Sequence, residues 1–189
     1  MNFGTRALTP SQFIGRIEDR LRDYLEVFAG LPPERAFLSL ASDDEHVKHP
    51  PQDKFVTIFP ARFPPWQGVV SGGGELGFDV SIRTTAFARL GNDQEYRQSR
   101  ILRDPKNSIL SLMFHVVQAY HLWTMPNVDD ETISYLREPM RVVGSGPELT
   151  TKKQESNVWV LCWVNWEAKA TFVLNPDTAE SSPQDPPAY

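Results

Sequence analysis

The sequence has a single cysteine, few basic residues for its length and no long apolar run. One cysteine, Cys162, excludes an intramolecular disulfide and a zinc site built on several cysteines. No window approaches the roughly 18 uncharged apolar residues of a membrane-spanning helix, and residues 1–13 lack the apolar core of a signal peptide, so we expect no membrane association. There are 19 Lys and Arg against 24 Asp and Glu, a formal net charge of −5. This balance disfavours a sequence-specific DNA-binding domain, which usually has a basic surface.

The composition is that of a globular protein. The chain has 189 residues, of which 40% are hydrophobic and 23% are charged. A chain of this size can bury a full core, and it predicts a single domain over residues 1–174. Residues 175–189 contain four prolines and three acidic residues. We expect this acidic, proline-rich C-terminal tail to be disordered.

A helix is predicted over residues 10–29. Thr9 is a suitable N-cap, Pro10 suits the first helical position, Gln12 completes a capping box and Gly30 suits the end of the helix. Apolar residues recur at spacings of three and four, as in an amphipathic helix: Phe13, Ile14, Ile17, Leu21, Tyr24, Leu25 and Phe28.

The clearest strand signal is a period-two alternation over fifteen residues from Leu76 to Leu90. At about 3.3 Å per residue such a strand reaches roughly 45–50 Å, longer than a small domain needs. Further strands are predicted over residues 36–41, 54–63 and 156–174, with a short one in 137–146. Two connections are predicted without regular structure, a polar loop at 41–53 and a turn-rich segment at 63–68.

A second helix is predicted between Asp104-Pro105 and Met125-Pro126, with a broad apolar stripe along it. The resulting order, α-β-β-β-α-β-β, predicts an α+β fold. We expect a mixed, mainly antiparallel β-sheet with the two main helices packed on one face.

The glycine-rich segment "VVSGGGELGFD" allows two interpretations. A phosphate-binding loop places its glycines between a strand and a helix and continues into Lys-Ser or Lys-Thr. Here a strand follows, so the segment is better explained as a flexible hairpin that links the 54–63 region to the 76–90 strand. Its central residues are Ser71, Gly72, Gly73, Gly74 and Glu75.

No residue is predicted to be catalytic, to bind a cofactor or to bind a metal, and we expect no enzymatic activity. Asp43, Asp44, Glu45, His46 and His49 resemble metal ligands, but their spacing matches neither an EF-hand nor a zincin pattern, so a solvated charged loop is the simpler interpretation. Two further histidines, at 115 and 121, are expected to be partly buried and structural. Cys162 lies within an apolar strand and is expected to be a buried, inert thiol.

The last strand is apolar on both faces. Val158, Val160, Cys162, Val164 and Trp166 form one face, and Trp159, Leu161 and Trp163 form the other. Either elements of the same chain cover both faces, or the second face meets another subunit. Since two helices are few for a sheet of four or five strands, and aromatic residues are enriched in interface cores, the sequence favours a subunit interface. Its candidate residues are Trp159, Leu161, Trp163, Phe87 and Arg83.

The order of parts resembles the tail terminator, or tail completion, proteins of long-tailed bacteriophages. The resemblance covers residues 9–174. It rests on the amphipathic helix "TPSQFIGRIEDRLRDYLEVF", the strand "FVTIFPARF", the long strand "GELGFDVSIRTTAFARLGND", the helix "SILSLMFHVVQAY", the segment "REPMRVV" and the closing strand "VWVLCWVNWEAKATF". The 41–53 loop and the C-terminal tail are longer than the family suggests.

The resemblance implies a structural virion protein. Copies of the chain would form a hexameric ring on the last ring of the tail tube, end its polymerisation and join the tail to the neck. The implied partners are the chain itself, the tail tube protein and a neck or head-completion protein. DNA would pass through the lumen without specific binding. Residues 71–75 would then face the lumen or the tube.

Three alternatives remain open from sequence. One is another neck component, such as a head-closure or head–tail connector protein. Another is an enzyme or small-ligand-binding domain with dispersed site residues, which would need a polar pocket of convergent titratable groups. The last is a scaffold protein of a contractile secretion machine, with a similar ring architecture.

Overall fold

The computed structural model describes most of the chain, in seven segments. The described residues are 8–62, 65–71, 75–90, 102–104, 108–126, 134–154 and 157–173. The helices are α1 (Pro10–Ala29), α2 (Asp43–Lys48) and α3 (Ile109–Tyr120), with a 3-10 turn at Pro33–Arg35. The strands are β1 (Ala36–Leu38), β2 (Lys54–Arg62), β3 (Pro65–Ser71), β4 (Glu75–Arg89), β5 (Leu136–Gln154) and β6 (Asn157–Val173). The predicted C-terminal tail lies outside the described residues.

Helix α1 has the predicted bounds because its ends are set by local contacts. The Thr9 hydroxyl accepts the backbone N–H of Gln12, and the Gln12 side chain accepts the backbone N–H of Thr9, so the capping box is complete. At the other end Gly30 has φ 60°, a left-handed conformation that suits glycine. The inward residues Phe13, Ile17, Leu21 and Leu25 are buried.

Loss of the capping box is expected to lower stability. The substitution Thr9→Ala removes the hydroxyl bonded to Gln12 and should reduce the free energy of unfolding by about 1 kcal/mol. Urea denaturation at equilibrium measures the change. Ser11→Ala, an exposed position in the same turn, is the matched control and should stay within about 0.5 kcal/mol of wild type. Equal effects of the two substitutions would contradict a specific role for the cap.

The sheet is mixed and mainly antiparallel, as predicted. Its strand order is β1-β2-β4-β6-β5, with β3 also paired to β4. Only β1 and β2 run parallel among these pairs. Strands β2 and β3 follow one another along the same edge of β4, with register irregularities around Pro60 and Pro65. Proline cannot donate to a ladder, so the interruption is expected there.

One face of the sheet carries α1 and α3, which confirms the predicted layer. This face presents alternate residues of the three central strands: Val56, Ile58, Val80, Ile82, Ala86, Ala88, Val160, Cys162, Val164 and Trp166. The Trp166 indole N–H donates to the Thr84 hydroxyl at 2.9 Å. Tyr120 of α3 packs edge-to-face on Trp166 and donates its hydroxyl to the Ile17 carbonyl of α1 at 2.6 Å. These contacts between Thr84, Trp166, Tyr120 and Ile17 therefore join both helices to the sheet within the core.

The predicted loop at 41–53 contains the helix α2, so that prediction was wrong. Ser42 caps the helix by accepting the backbone N–H of Glu45. Acidic residues occupy its first turn and Lys48 its last turn, an order that suits the helix dipole. The buried residues His46 and Val47 bind it to the second face of the sheet. Packing, more than length, stabilises this helix, because six residues are too few for an isolated one.

Three other boundaries differ from the prediction. Residues 65–71 are strand β3 and not a turn-rich connection, because they pair with β4. The short strand expected in 137–146 is part of the 19-residue β5, which continues past its prolines and glycines. This is possible because β5 lies at the edge of the sheet, where a missing N–H or a bulge is tolerated. Helix α3 starts after the cap Ser108 and ends at Tyr120, inside its predicted limits.

Candidate functional site

Three of the five predicted interface residues are buried within their own chain. Phe87 and Leu161 are 0% exposed and Trp159 is 1% exposed. Together with Phe55 they form what we call the aromatic cluster, in which Phe55, Phe87 and Leu161 lie in one cross-strand row. The rings of Phe55 and Phe87 stack with centroids 4.5 Å apart.

Helix α2 supplies the cover that the sequence led us to expect from a second subunit. Val47 packs on the aromatic cluster and is itself buried. The premise that only two helices shield the sheet was therefore wrong. Trp159, Leu161 and Phe87 stabilise the fold and present no side-chain surface for an interface.

The other two predicted interface residues lie at the border of α2. The Arg83 guanidinium lies 4.8 Å from the centre of the Trp163 ring, and it bonds the Asp43 carboxylate at 2.7 Å. The Arg83 side chain remains 35% exposed, and Trp163 is half-buried. Arg83 and Trp163 therefore lie between the part of the second sheet face that α2 covers and the part that it leaves uncovered.

Two of the carboxylates that resembled metal ligands, Asp43 and Asp44, attach α2 to the sheet. Asp43 bonds Arg83 of β4, and Asp44 bonds Lys152 of β5 at 2.6 Å. The hydrogen bond from Lys152 lowers the pKa of Asp44. Where the chain is described, no three His, Cys, Asp or Glu side chains are grouped as metal ligands. These residues are better described as anchors of a short helix.

The isolated histidines and the cysteine differ in their surroundings. His115 is half-buried as expected, whereas His121 is exposed at the end of α3, so its expected burial was wrong. Cys162 is buried beneath the helix layer. Burial raises the pKa of its thiol to about 11, which keeps it protonated at neutral pH and poorly nucleophilic.

The glycine segment connects two paired strands. Ser71 and Glu75 are opposite each other in the antiparallel β3–β4 pair, as in a hairpin. Glycines 72–74 lie outside the described residues. Strand β4 has 15 residues and α1 has 20, which correspond to about 50 Å and about 30 Å. Strand β4 is therefore longer than α1, the longest helix described. That this hairpin faces a lumen or a tube remains a prediction.

A charged groove of about 470 Å³ lies on the uncovered part of the second face. Its charged lining residues are Arg62, Asp79, Glu138, Arg141, Glu167 and Lys169. Opposite charges lie side by side across the strands, since Lys169 is paired in register with both Asp79 and Glu138. The Lys169 ammonium lies 2.5 Å from the Glu138 carboxylate, and this bond lowers the pKa of Glu138. Such rows stabilise a solvated sheet surface, and the groove is also large enough for a small ligand.

Helix α3 has an exposed apolar pair on its outer side. Leu110 is 44% exposed and Phe114 is 59% exposed. They lie four residues apart, so the two side chains are neighbours on the helix surface. Leu110 belongs to the broad apolar stripe predicted along this helix, and Phe114 was not singled out from sequence. The available signal was that α3 is apolar on nearly all sides, and a surface helix in water is not.

The outer edge of the sheet is poorly suited to pairing with another strand. Strand β5 contains Pro139 and Pro147, and its register shifts between Val143 and Glu148. Prolines, bulges and charged side chains are the devices that prevent edge-to-edge association. A contact between copies at this edge would have to use side chains.

Comparison of the chain with protein-family models gives no match, and comparison with curated proteins gives none either. Among the described residues, no helix combines the length and the apolar character needed to cross a lipid bilayer.

Proposed function

We propose that this protein is a structural virion protein of the tail-terminator type. Copies of the chain assemble into a hexameric ring on the end of the phage tail tube, stop its polymerisation and present a surface to the neck. The α+β fold with α1 and α3 on one sheet face agrees with the order of parts on which the family resemblance rests.

The exposed Leu110–Phe114 pair is the observation that carries this proposal. Isolated apolar residues on a surface are ordinary, but adjacent ones on an apolar helix are typical of an interaction site. The aromatic cluster is already covered by α2, and the β5 edge is protected. We therefore take the outer side of α3 as the candidate surface for contact between copies.

A contact between unlike surfaces closes into a ring when its rotation divides a full turn. In this proposal α3 of one copy packs on a different surface of the next, and the long β3–β4 end of the sheet points to the lumen or the tube. The net charge of −5 favours passage of DNA through the ring without binding, because like charges repel.

Two binding experiments distinguish a tail terminator from a neck or connector protein. Purified protein is added to tail tubes and, separately, to portal complexes, and both are imaged by negative-stain electron microscopy. Binding at one end of the tubes with arrest of their growth supports a terminator. Binding to portals alone would reject the terminator in favour of a connector. Tubes are essential to this assay, because rings of this kind can require their template.

The charged groove favours a second candidate, a small-ligand-binding domain. Six charged side chains line it, and a zwitterionic or dicarboxylate ligand would match its alternating charges. Such a ligand would stabilise the folded protein by RT ln(1 + [L]/Kd), so the melting temperature should rise with the logarithm of the ligand concentration once that concentration exceeds Kd. A thermal-shift screen with amino acids and dicarboxylates tests this candidate, which would be rejected if none of these compounds shifts the melting curve.

A further inference from the structure

His46 of α2 is held in a cage of aromatic rings. Its ring centre lies 5.9 Å from that of Phe37, 5.9 Å from that of Phe55 and 5.7 Å from that of Phe87. The residue is only 9% exposed. It sits between the helix and the aromatic cluster, so its state affects how α2 packs on the sheet.

The hydrogen bonds at this position suit a neutral imidazole. The Ser39 hydroxyl oxygen accepts the backbone N–H of Ala41 at 3.1 Å, and it lies 2.7 Å from His46 Nε2. With its oxygen already accepting, the hydroxyl can donate its proton to an unprotonated Nε2. Protonation of Nε2 would reverse this bond and leave the hydroxyl proton to find another acceptor.

The charged groups near His46 do not offset its burial. Burial lowers the pKa of His46, while the carboxylates of Asp43 and Glu45 on α2 oppose this shift. Asp43 is also engaged by Arg83 of β4, and Asp44 by Lys152 of β5. Strands β1, β2 and β4 present phenyl rings to the imidazole. The remaining charged residue of the helix, Lys48, is exposed.

The other attachments of α2 are few. The helix has six residues, and only His46 and Val47 are buried. Its ion pair with Lys152 is accessible to water, since the Asp44 side chain is 74% exposed, whereas the Asp43–Arg83 pair is partly buried, with side chains 21% and 35% exposed. Exposed ion pairs contribute little to stability. The packing of His46 is therefore a large part of what keeps α2 in place.

We propose that α2 is a pH-sensitive strap: neutral His46 holds it over the aromatic cluster, and protonation of His46 releases it. The released state exposes Phe55, Phe87 and Trp159. This inference concerns a different surface from the α3 pair and stands apart from the proposed function.

The direction of the pH dependence follows from linkage. The imidazole binds protons more weakly in the closed strap than in the open one, where its pKa returns to the ordinary value of 6.5. The closed state is thus fully favoured above that value and is lost as the pH falls through the lower, closed-state pKa. Between these two values the opening constant should rise up to about tenfold per pH unit, and below them it should level off.

Hydrogen exchange of the full-length protein, followed from about pH 8 to about pH 5, tests this inference. After correction for intrinsic rates, amides of α2 should lose protection on acidification, whereas reference amides of α3 should not. His46→Gln, which cannot titrate, should abolish the pH dependence. His49→Gln, at the exposed histidine after α2, should retain it. Ser39→Ala should increase the opening of α2 at every pH and keep the slope of the opening constant against pH. This variant preserves the test if α2 does not close over the sheet in His46→Gln.

Three results would overturn the inference. They are an unchanged α2 protection across the range, an equal pH dependence in His46→Gln and wild type, and parallel loss of protection in α2 and α3.

Discussion

Replacing Trp166 by alanine is expected to destabilise the protein by about 3–5 kcal/mol. The side chain is 0% exposed and lies where β4, β6 and α3 meet. The substitution leaves a large cavity, removes the edge-to-face contact with Tyr120 and leaves the Thr84 hydroxyl without its indole donor. The loss is comparable with the whole stability of many domains, about 5–15 kcal/mol. Equilibrium unfolding in urea, with tryptophan fluorescence and circular dichroism as probes, measures it.

Two variants distinguish the contribution of the Trp166 side-chain volume to stability from that of its hydrogen bond. Trp166→Phe keeps much of the ring but removes the N–H donor, and should cost less than the alanine change. Thr84→Val keeps the shape of the threonine and leaves the buried indole N–H unpaired, which should cost about 1–3 kcal/mol. A cost below about 1 kcal/mol for Trp166→Ala would contradict its place at the centre of the core.

Replacing Phe114 by aspartate is expected to abolish assembly on tail tubes while leaving the fold intact. The side chain is 59% exposed, so the cost to folding should be small. In the assembled ring the same position would be buried. Losing one buried phenyl ring costs about 1.5–3 kcal/mol per contact, and an unpaired carboxylate adds to it. At about 3 kcal/mol each contact weakens roughly 100-fold, and a ring repeats the loss at every contact.

Leu40→Asp is the matched control for this substitution. Leu40 is also apolar and is 80% exposed, and it lies in the segment between β1 and α2 and not on α3. Leu40→Asp should bind tubes like wild type in the electron microscopy and co-sedimentation assays. If Phe114→Asp still caps tubes and Leu40→Asp does not, the contact between copies lies elsewhere than α3. A melting temperature close to wild type for both variants is required before either result is interpreted.

Helices α1 and α2 could be predicted from the sequence to different degrees. The bounds of α1 follow from Thr9, Gln12 and Gly30, which interact with residues three to five positions away. Helix α2 carries the local signal Ser42-Asp43-Asp44-Glu45, a capping pattern. Its six residues are too short to show a helical period, so the pattern was outweighed by the surrounding prolines. The stabilising partners of α2 are residues far along the chain.

The candidate surfaces were predicted less well than the fold. The lack of polar–apolar alternation in β6 indicated two apolar faces, and both faces are indeed packed. The sequence could not indicate what packs on the second face. It also could not separate Leu110 from its buried neighbours in α3, because an apolar residue in an apolar helix gives no sign of which side meets water.

Local sequence was sufficient to specify α1, the long strands β4 and β6 and the α+β class, because spacing and caps act within a few positions of one another. Three-dimensional packing was needed to establish that α2 covers the aromatic cluster, that β5 forms the edge and that Phe114 faces solvent. These outcomes depend on contacts between distant residues, such as Asp43 with Arg83 and Asp44 with Lys152. Periodicity assigns a side chain to a face, whereas packing decides what lies against that face.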